Sequence, residues 1–112
     1  MTGTPNQIEL AEQIKCRANA EFYRVAEAFR TVAQIQRGQD RLDTLAILRI
    51  LEEKRTEVMA IDAAGYFIRT WAESEDQVRN MIGQDVRYQA IQTSRRIRRD
   101  NGVRTKFEGP KG

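Results

Sequence analysis

Histidine is absent from the 112 residues, which removes the commonest general base and the commonest metal ligand together. Serine triads, HEXXH zinc sites and helical ExxH di-iron sites are therefore excluded as usually written. Cysteine occurs once, at Cys16, so there is neither an intramolecular disulfide nor a cysteine cluster for zinc, and a reducing compartment suits the chain. Glycine-rich phosphate loops are missing as well, since neither GxGxxG nor GxxxxGK occurs. The longest mainly apolar stretch, Val58 to Ala72, is interrupted by Asp62, Arg69 and Thr70 and is too short and polar to span a bilayer. No positively charged start followed by an apolar run resembles a signal peptide. These absences lead us to expect a soluble protein of the cytoplasm, or of a particle assembled there. They also lead us to expect no enzymatic activity, cofactor, metal, small-molecule substrate or membrane partner.

Proline is nearly absent too. Pro5 and Pro110 bracket the chain and leave everything between them without the strongest helix breaker. Apolar residues are 40% and charged residues 31%, against averages of about 45–50% and about 25%, which points to a thin core. A chain of this length has room for one domain.

The residues that are present read as helix. Thr4, Pro5 and Gln7 form a start signal: a capping threonine, a proline at the first helical position and a glutamine that completes a capping box. Ile8, Ala11, Ala18, Phe22, Val25, Phe29 and Val32 follow at helical steps, widened by Ala26 and Ala33 and broken only by Lys15. The expected first helix spans about 5–37 and ends at Gly38. A second, about 41–73, opens near Asp40 or Asp43 and carries Leu42, Leu45, Ile47, Leu48, Ile50 and Leu51 around most of its circumference, as in a helix packed on several sides. It is expected to continue through the polar run Glu52–Glu57, with a kink at Gly65. A third helix, about 75–100, starts from a capping box at Ser74–Gln77 and places Val78, Ile82, Val86, Ala90, Thr93 and Ile97 near one face. Asn101 and Gly102 supply a left-handed stop, and residues 103–112 form an extended or disordered basic tail. The expected fold is all-α: an elongated hairpin of two long helices plus a third, resembling a three-helix bundle or coiled coil, in one domain over residues 1–102.

Charge is distributed unevenly. From Arg95 to Gly112 seven basic residues stand against Asp100 and Glu108, a local +5, so the first 94 residues carry −2. Arg95, Arg96, Arg98 and Arg99, followed by Arg104 and Lys106, are candidates for contact with nucleic-acid phosphates or an acidic protein. Cations favoured by a helix C-terminus account for part of the same pattern. On a wheel Arg95 and Arg99 point away from Ile97, toward solvent. Phe107 adds one aromatic for stacking. Glu52, Glu53 and Glu57 are the densest acidic group, though Lys54 and Arg55 among them suggest a solvated charged patch. Asp62 interrupts an apolar run and needs a partner if buried. Cys16 falls opposite the apolar stripe.

Helices this long expose apolar flank, which invites a partner. The leading expectation is therefore a structural or assembly protein that self-associates or joins other subunits, as in a virion or nucleoprotein particle. Phe22, Phe29, Ile47, Leu51, Tyr66 and Trp71 are its interface candidates. The alternative is a nucleic-acid-binding module working through the arginine-rich end.

Overall fold

Thr4 and Gln7 start the first helix by the expected reciprocal cap. The Gln7 amide donates to Thr4 Oγ1 at 3.3 Å and the Thr4 amide donates to Gln7 Oε1 at 3.0 Å, with Pro5 at the first helical position. The computed structural model describes residues 1–72 and 76–108, with side chains up to Asn101. It is all-α, with α1 Pro5–Ile35, α2 Gly38–Met59, α3 Ala64–Trp71, α4 Gln77–Gln84 and α5 Val86–Glu108.

α1 and α2 run antiparallel, joined by Gln36 and Arg37, and Gly38 takes the left-handed φ of +59° that lets the chain reverse so tightly. α3 and α4 lie against α1, α4 also touches α2, and α5 runs along α2. The core is one cluster. α1 contributes Ala11, Ile14, Ala18, Phe22 and Val25; α2 adds Ile47, Ile50, Leu51 and Val58; α3 adds Ala64, Phe67 and Trp71; α4 adds Val78 and Ile82. Phe22 and Trp71 pack with ring centroids 5.7 Å apart, and the Trp71 indole N–H donates to the Tyr66 hydroxyl at 3.1 Å. The molecule measures 74 × 23 × 19 Å with a radius of gyration of 19.0 Å, well above the roughly 13 Å of a compact domain this size.

The expected two-long-helix hairpin with a third helix is thus corrected to five helices. The second helix does run through Glu52–Glu57, but it ends at Met59, six residues before Gly65, and a short non-helical link leads to α3. Neither glycine nor proline marks this break. Its backbone groups are taken by residues far away in sequence: the Thr2 amide donates to the Asp62 carbonyl at 2.9 Å and the Ala64 amide to the Thr2 carbonyl at 3.0 Å. Lys15, the one interruption in the α1 stripe, donates to the Ile61 carbonyl at 3.5 Å and sits 5.6 Å from the Phe67 ring centre. Asp62 is itself exposed and pairs with the Met1 amino group at 2.9 Å.

The expected third helix is divided at Asp85. Its carbonyl accepts from Gln89 and its carboxylate from the Arg87 amide, so a new helix begins there with a new phase. The rephasing changes which face is buried. Val78 and Ile82 are in the core, whereas Val86 is 75% and Ile97 54% exposed. Ala90 and Thr93 are exposed with them, and α5 packs instead through the half-buried Tyr88, Ile91 and Arg95. The stop at Asn101 and Gly102 is also corrected, and so is the part of the expected tail up to Glu108, since α5 continues to that residue. Ser74, Glu75 and residues 109–112 lie outside the described residues. α4 begins after Asp76 with no side-chain cap from that residue, and the Val78 amide lies 3.5 Å from the Glu21 carboxylate instead.

Candidate interaction surface

α5 is fastened to α2 at two points, and both are polar. At its start, Asp85 accepts from Arg87 Nε and Nη2 at 3.1 Å each and lies 3.3 Å from Lys54 Nζ, while Arg87 Nη1 reaches Glu53 at 2.6 Å. The Arg87 hydrogen bonds hold the Asp85 carboxyl far below the usual carboxylate range. Further along, Arg98 Nη2 donates to Asp43 Oδ2 at 2.6 Å and to Asp40 Oδ1 at 3.3 Å. Arg95 Nη2 donates to Thr44 Oγ1 at 2.8 Å and to the Asp40 carbonyl at 3.0 Å, and its Nε lies 3.6 Å from Asp43. Gln39 donates to the other Asp43 oxygen at 2.8 Å, and the Thr44 hydroxyl meets Gln36 Oε1 at 2.5 Å. Burial pushes the Asp43 carboxyl up, but the hydrogen bonds from Arg98 and Gln39 and the charges of Arg98 and Arg95 outweigh it, so it lies below its ordinary value.

The arginine cluster is therefore split by geometry. Arg95 and Arg98 turn inward to neutralise Asp40 and Asp43 at the start of α2. Arg96 and Arg99 project into solvent and have no ion-pair partner among the described residues. Arg104 and Lys106 lie on α5, but their side chains and that of Phe107 fall outside the described residues. The wheel that put Arg95 on the solvent face assumed one continuous helix from residue 75, and the new phase at Asp85 removes that assumption.

Of the interface candidates, Phe22, Ile47, Leu51 and Trp71 are buried in the chain's own core, and Phe29 and Tyr66 are half-buried against it. Large apolar side chains that do reach solvent lie elsewhere. Val32 and Ile35 end α1, Leu42 and Leu45 begin α2, and Val86 and Ile97 stand on α5; Leu10 and Tyr23 lie further back on α1. A shallow groove of about 430 Å³ runs between α2 and α5, lined by Ala46, Ile50, Ala90 and Ile91, with Arg49, Glu53 and Arg87 at its rim. The contacts Arg87–Glu53 and Arg98–Asp40/Asp43 fix α5 antiparallel to α2. The sequence places Leu42 on a helix packed on several sides, and Val86 and Ile97 near one face together with Val78 and Ile82. The turn signal Gly83–Gln84–Asp85 was available in the sequence to relocate Val86 and Ile97.

A second depression, of about 290 Å³, lies between α1 and α2 over Phe22, Tyr23, Ala26, Leu48 and Leu51, with Arg30, Glu52 and Arg55 at its edge. Its charges are mutually satisfied: Arg55 holds Glu52 at 2.6 Å, donates to Asn19 at 3.2 Å and stacks over Tyr23, and Arg30 pairs with Glu27 at 2.9 Å. The Arg55 hydrogen bond draws the Glu52 carboxyl below its ordinary value. With Glu53 engaged by Arg87, the acidic run is a solvated charged patch in which only Glu57 is left without a partner among the described residues. Cys16 is exposed, as expected. Among the described residues no group of three or more Cys, Asp or Glu is placed to hold a metal ion, and every buried polar side-chain atom has a hydrogen-bond partner. No described helix is long and apolar enough to cross a membrane. Compared with protein-family models, curated proteins and solved structures, the chain matches none.

Proposed function

We propose that this chain is a non-enzymatic assembly subunit that associates with copies of itself or with other protein subunits through apolar side chains left on its helix flanks. The observation that carries this is the exposure of Leu42 (59%), Val86 (75%) and Ile97 (54%) on α2 and α5, two helices already packed on each other by other residues. Solvent-facing leucine, valine and isoleucine beside a groove floored by alanine and isoleucine is the arrangement by which a helix face receives another helix. The elongated shape supports the same role, because it gives a small chain a long flank.

Light scattering after size exclusion tests it. A subunit of this kind gives a defined mass above the 12.9 kDa of the monomer that persists at high salt. A monomer at all concentrations overturns self-assembly.

Nucleic-acid binding is a second reading, favoured by one specific observation: Arg96 and Arg99 face solvent on the helix that goes on to Arg104 and Lys106. Its support is narrower than the sequence suggested, because Arg95 and Arg98 are already committed to Asp43. It requires binding to short duplex DNA that weakens steeply with salt, by about 0.9 log units per phosphate neutralised for each tenfold rise in salt.

A further inference from the structure

Two sides of α2 are occupied and a third is not. α1 lies along the side that bears Leu48, Leu51 and Arg55, and α5 along the side that bears Asp43, Ile50 and Glu53. On the remaining side Leu42, Leu45, Arg49, Glu52, Thr56 and Met59 follow at steps of three, four, three, four and three residues. That spacing keeps them on one face over about 26 Å of helix. All are exposed apart from the half-buried Met59, with Leu42 at 59% and Leu45 at 37%. A shallow open depression of about 460 Å³ on this face is lined by α2 residues alone. Both neighbouring helices lie behind the face, so another helix can approach along its whole length.

The order of charges along this face selects the occupant. Arg49 has no ion-pair partner among the described residues. Glu52 is held by Arg55, but its side chain is 60% exposed and each carboxylate oxygen keeps a lone pair for a second guanidinium. The steps read the same in both directions about a point between residues 50 and 51. A second copy of α2 laid antiparallel about a two-fold axis at that point therefore sets Arg49 of each copy against Glu52 of the other. Outside this pair of ion pairs, Leu45 meets Thr56 and Leu42 meets Met59. The Thr56 hydroxyl donates to its own helix at the Glu52 carbonyl, 2.9 Å away, which leaves its methyl group for Leu45. A parallel copy would set Arg49 on Arg49 and Glu52 on Glu52, and such like-charge contacts cost several kcal/mol. The apolar pairs supply burial, and the charged pairs at the centre fix orientation and register.

Building on the assembly role proposed above, we infer that the exposed face of α2 is covered by the same face of a second copy of this chain, packed antiparallel in a two-fold dimer with Arg49 of each copy paired to Glu52 of the other.

Charge exchange in the full-length chain tests it, with dimerisation followed by sedimentation equilibrium and the fold checked by circular dichroism. Both residues are exposed, so the substitutions leave the core intact. Arg49→Glu alone is expected to weaken the dimer at least tenfold, because it sets glutamate against Glu52 twice. The double variant Arg49→Glu with Glu52→Arg restores opposite charges in the antiparallel register and is expected to dimerise within about threefold of the parent chain. Leu45→Asp is expected to abolish the dimer, and Leu10→Asp, on the far part of α1, to leave it unchanged. Orientation is read from a spin label at Arg41→Cys in a Cys16→Ser background, Cys16 being exposed. The antiparallel register places the two labelled positions about 30 Å apart, whereas a parallel pair places them about 10 Å apart. The shorter distance, or a double variant as weak as Arg49→Glu, overturns the proposed packing. A dimer indifferent to both Arg49→Glu and Leu45→Asp overturns this surface while leaving the assembly role standing, and a parent chain that is monomeric at all concentrations overturns both.

Discussion

Replacing Asp43 by asparagine keeps the shape of the residue and removes the charge that holds the middle of α5 to α2. Asp43 is 8% exposed and receives Arg98 at 2.6 Å, with Arg95 at 3.6 Å. A hydrogen bond between charged groups contributes about 1.5–3 kcal/mol. The Arg98 side chain is 40% exposed and can return to water, so the low end applies, and the longer Arg95 contact adds about 0.5 kcal/mol. The sum is about 2 kcal/mol, or roughly 30-fold in an equilibrium at 1.4 kcal/mol per tenfold. Because α5 touches the rest of the molecule mainly through α2 and α4, the effect is expected to be local. In hydrogen exchange followed by mass spectrometry, peptides covering residues 92–101 of Asp43→Asn should exchange about 30-fold faster, while those from α1 and α3 keep their rates. Asp40→Asn, whose side chain is 62% exposed and 3.3 Å from Arg98, should change the same peptides less than about fivefold. Equal effects of the two substitutions, or acceleration spread evenly over all helices, would refute the reasoning that Asp43 is the anchor.

Two further outcomes are expected. Phe22→Ala removes a ring 2% exposed that packs on Trp71, and urea titration should show a loss of about 3–5 kcal/mol with no selective change at α5. The pH dependence has a definite sign. Asp43, Asp85 and Glu52 have folded-state values below their unfolded ones, so their contribution to stability is complete above pH about 4–5 and is lost as pH falls through the depressed folded values. Glu21 is shifted up by burial and works in the opposite direction, favouring the folded state slightly below its ordinary value. Thermal unfolding from pH 7 to pH 2 should therefore show falling stability in acid, and the slope should shrink in Asp43→Asn.

How much of this could be read from the sequence depended on whether the signal was local. The start of α1 was legible because Thr4, Pro5 and Gln7 satisfy one another within a single turn. The continuity of α2 through Glu52–Glu57 was legible because a polar run without glycine or proline gives a helix no reason to stop. The break after Met59 was not, because the groups that hydrogen-bond its loose backbone ends, Thr2 and Lys15, lie more than 40 residues away. Ile14 was passed over in the α1 stripe although it is 1% exposed. The α5 error began in a local signal that was missed: reading through Asp85 rotated the remainder of the helix, so Val86 and Ile97 went inside and Arg95 outside. As for the candidate surface, the arginine cluster was visible in the sequence, but its division into two inward and two outward guanidinium groups depends on Asp40 and Asp43, some 55 residues earlier.

The two fastenings of α5 differ in kind from what joins α1 to α4. Those four helices are held by an apolar cluster that dissolved ions barely affect, whereas α5 carries two half-buried apolar contacts, Tyr88 and Ile91, between two sets of ion pairs. Screening shortens the reach of exposed pairs to a few ångströms at molar salt. The seating of α5 on α2 is thus expected to respond to electrolyte only in part: the exposed pairs Arg87–Glu53 and Arg98–Asp40 weaken in concentrated salt, while the pairs made by the buried carboxylates of Asp43 and Asp85 are screened much less.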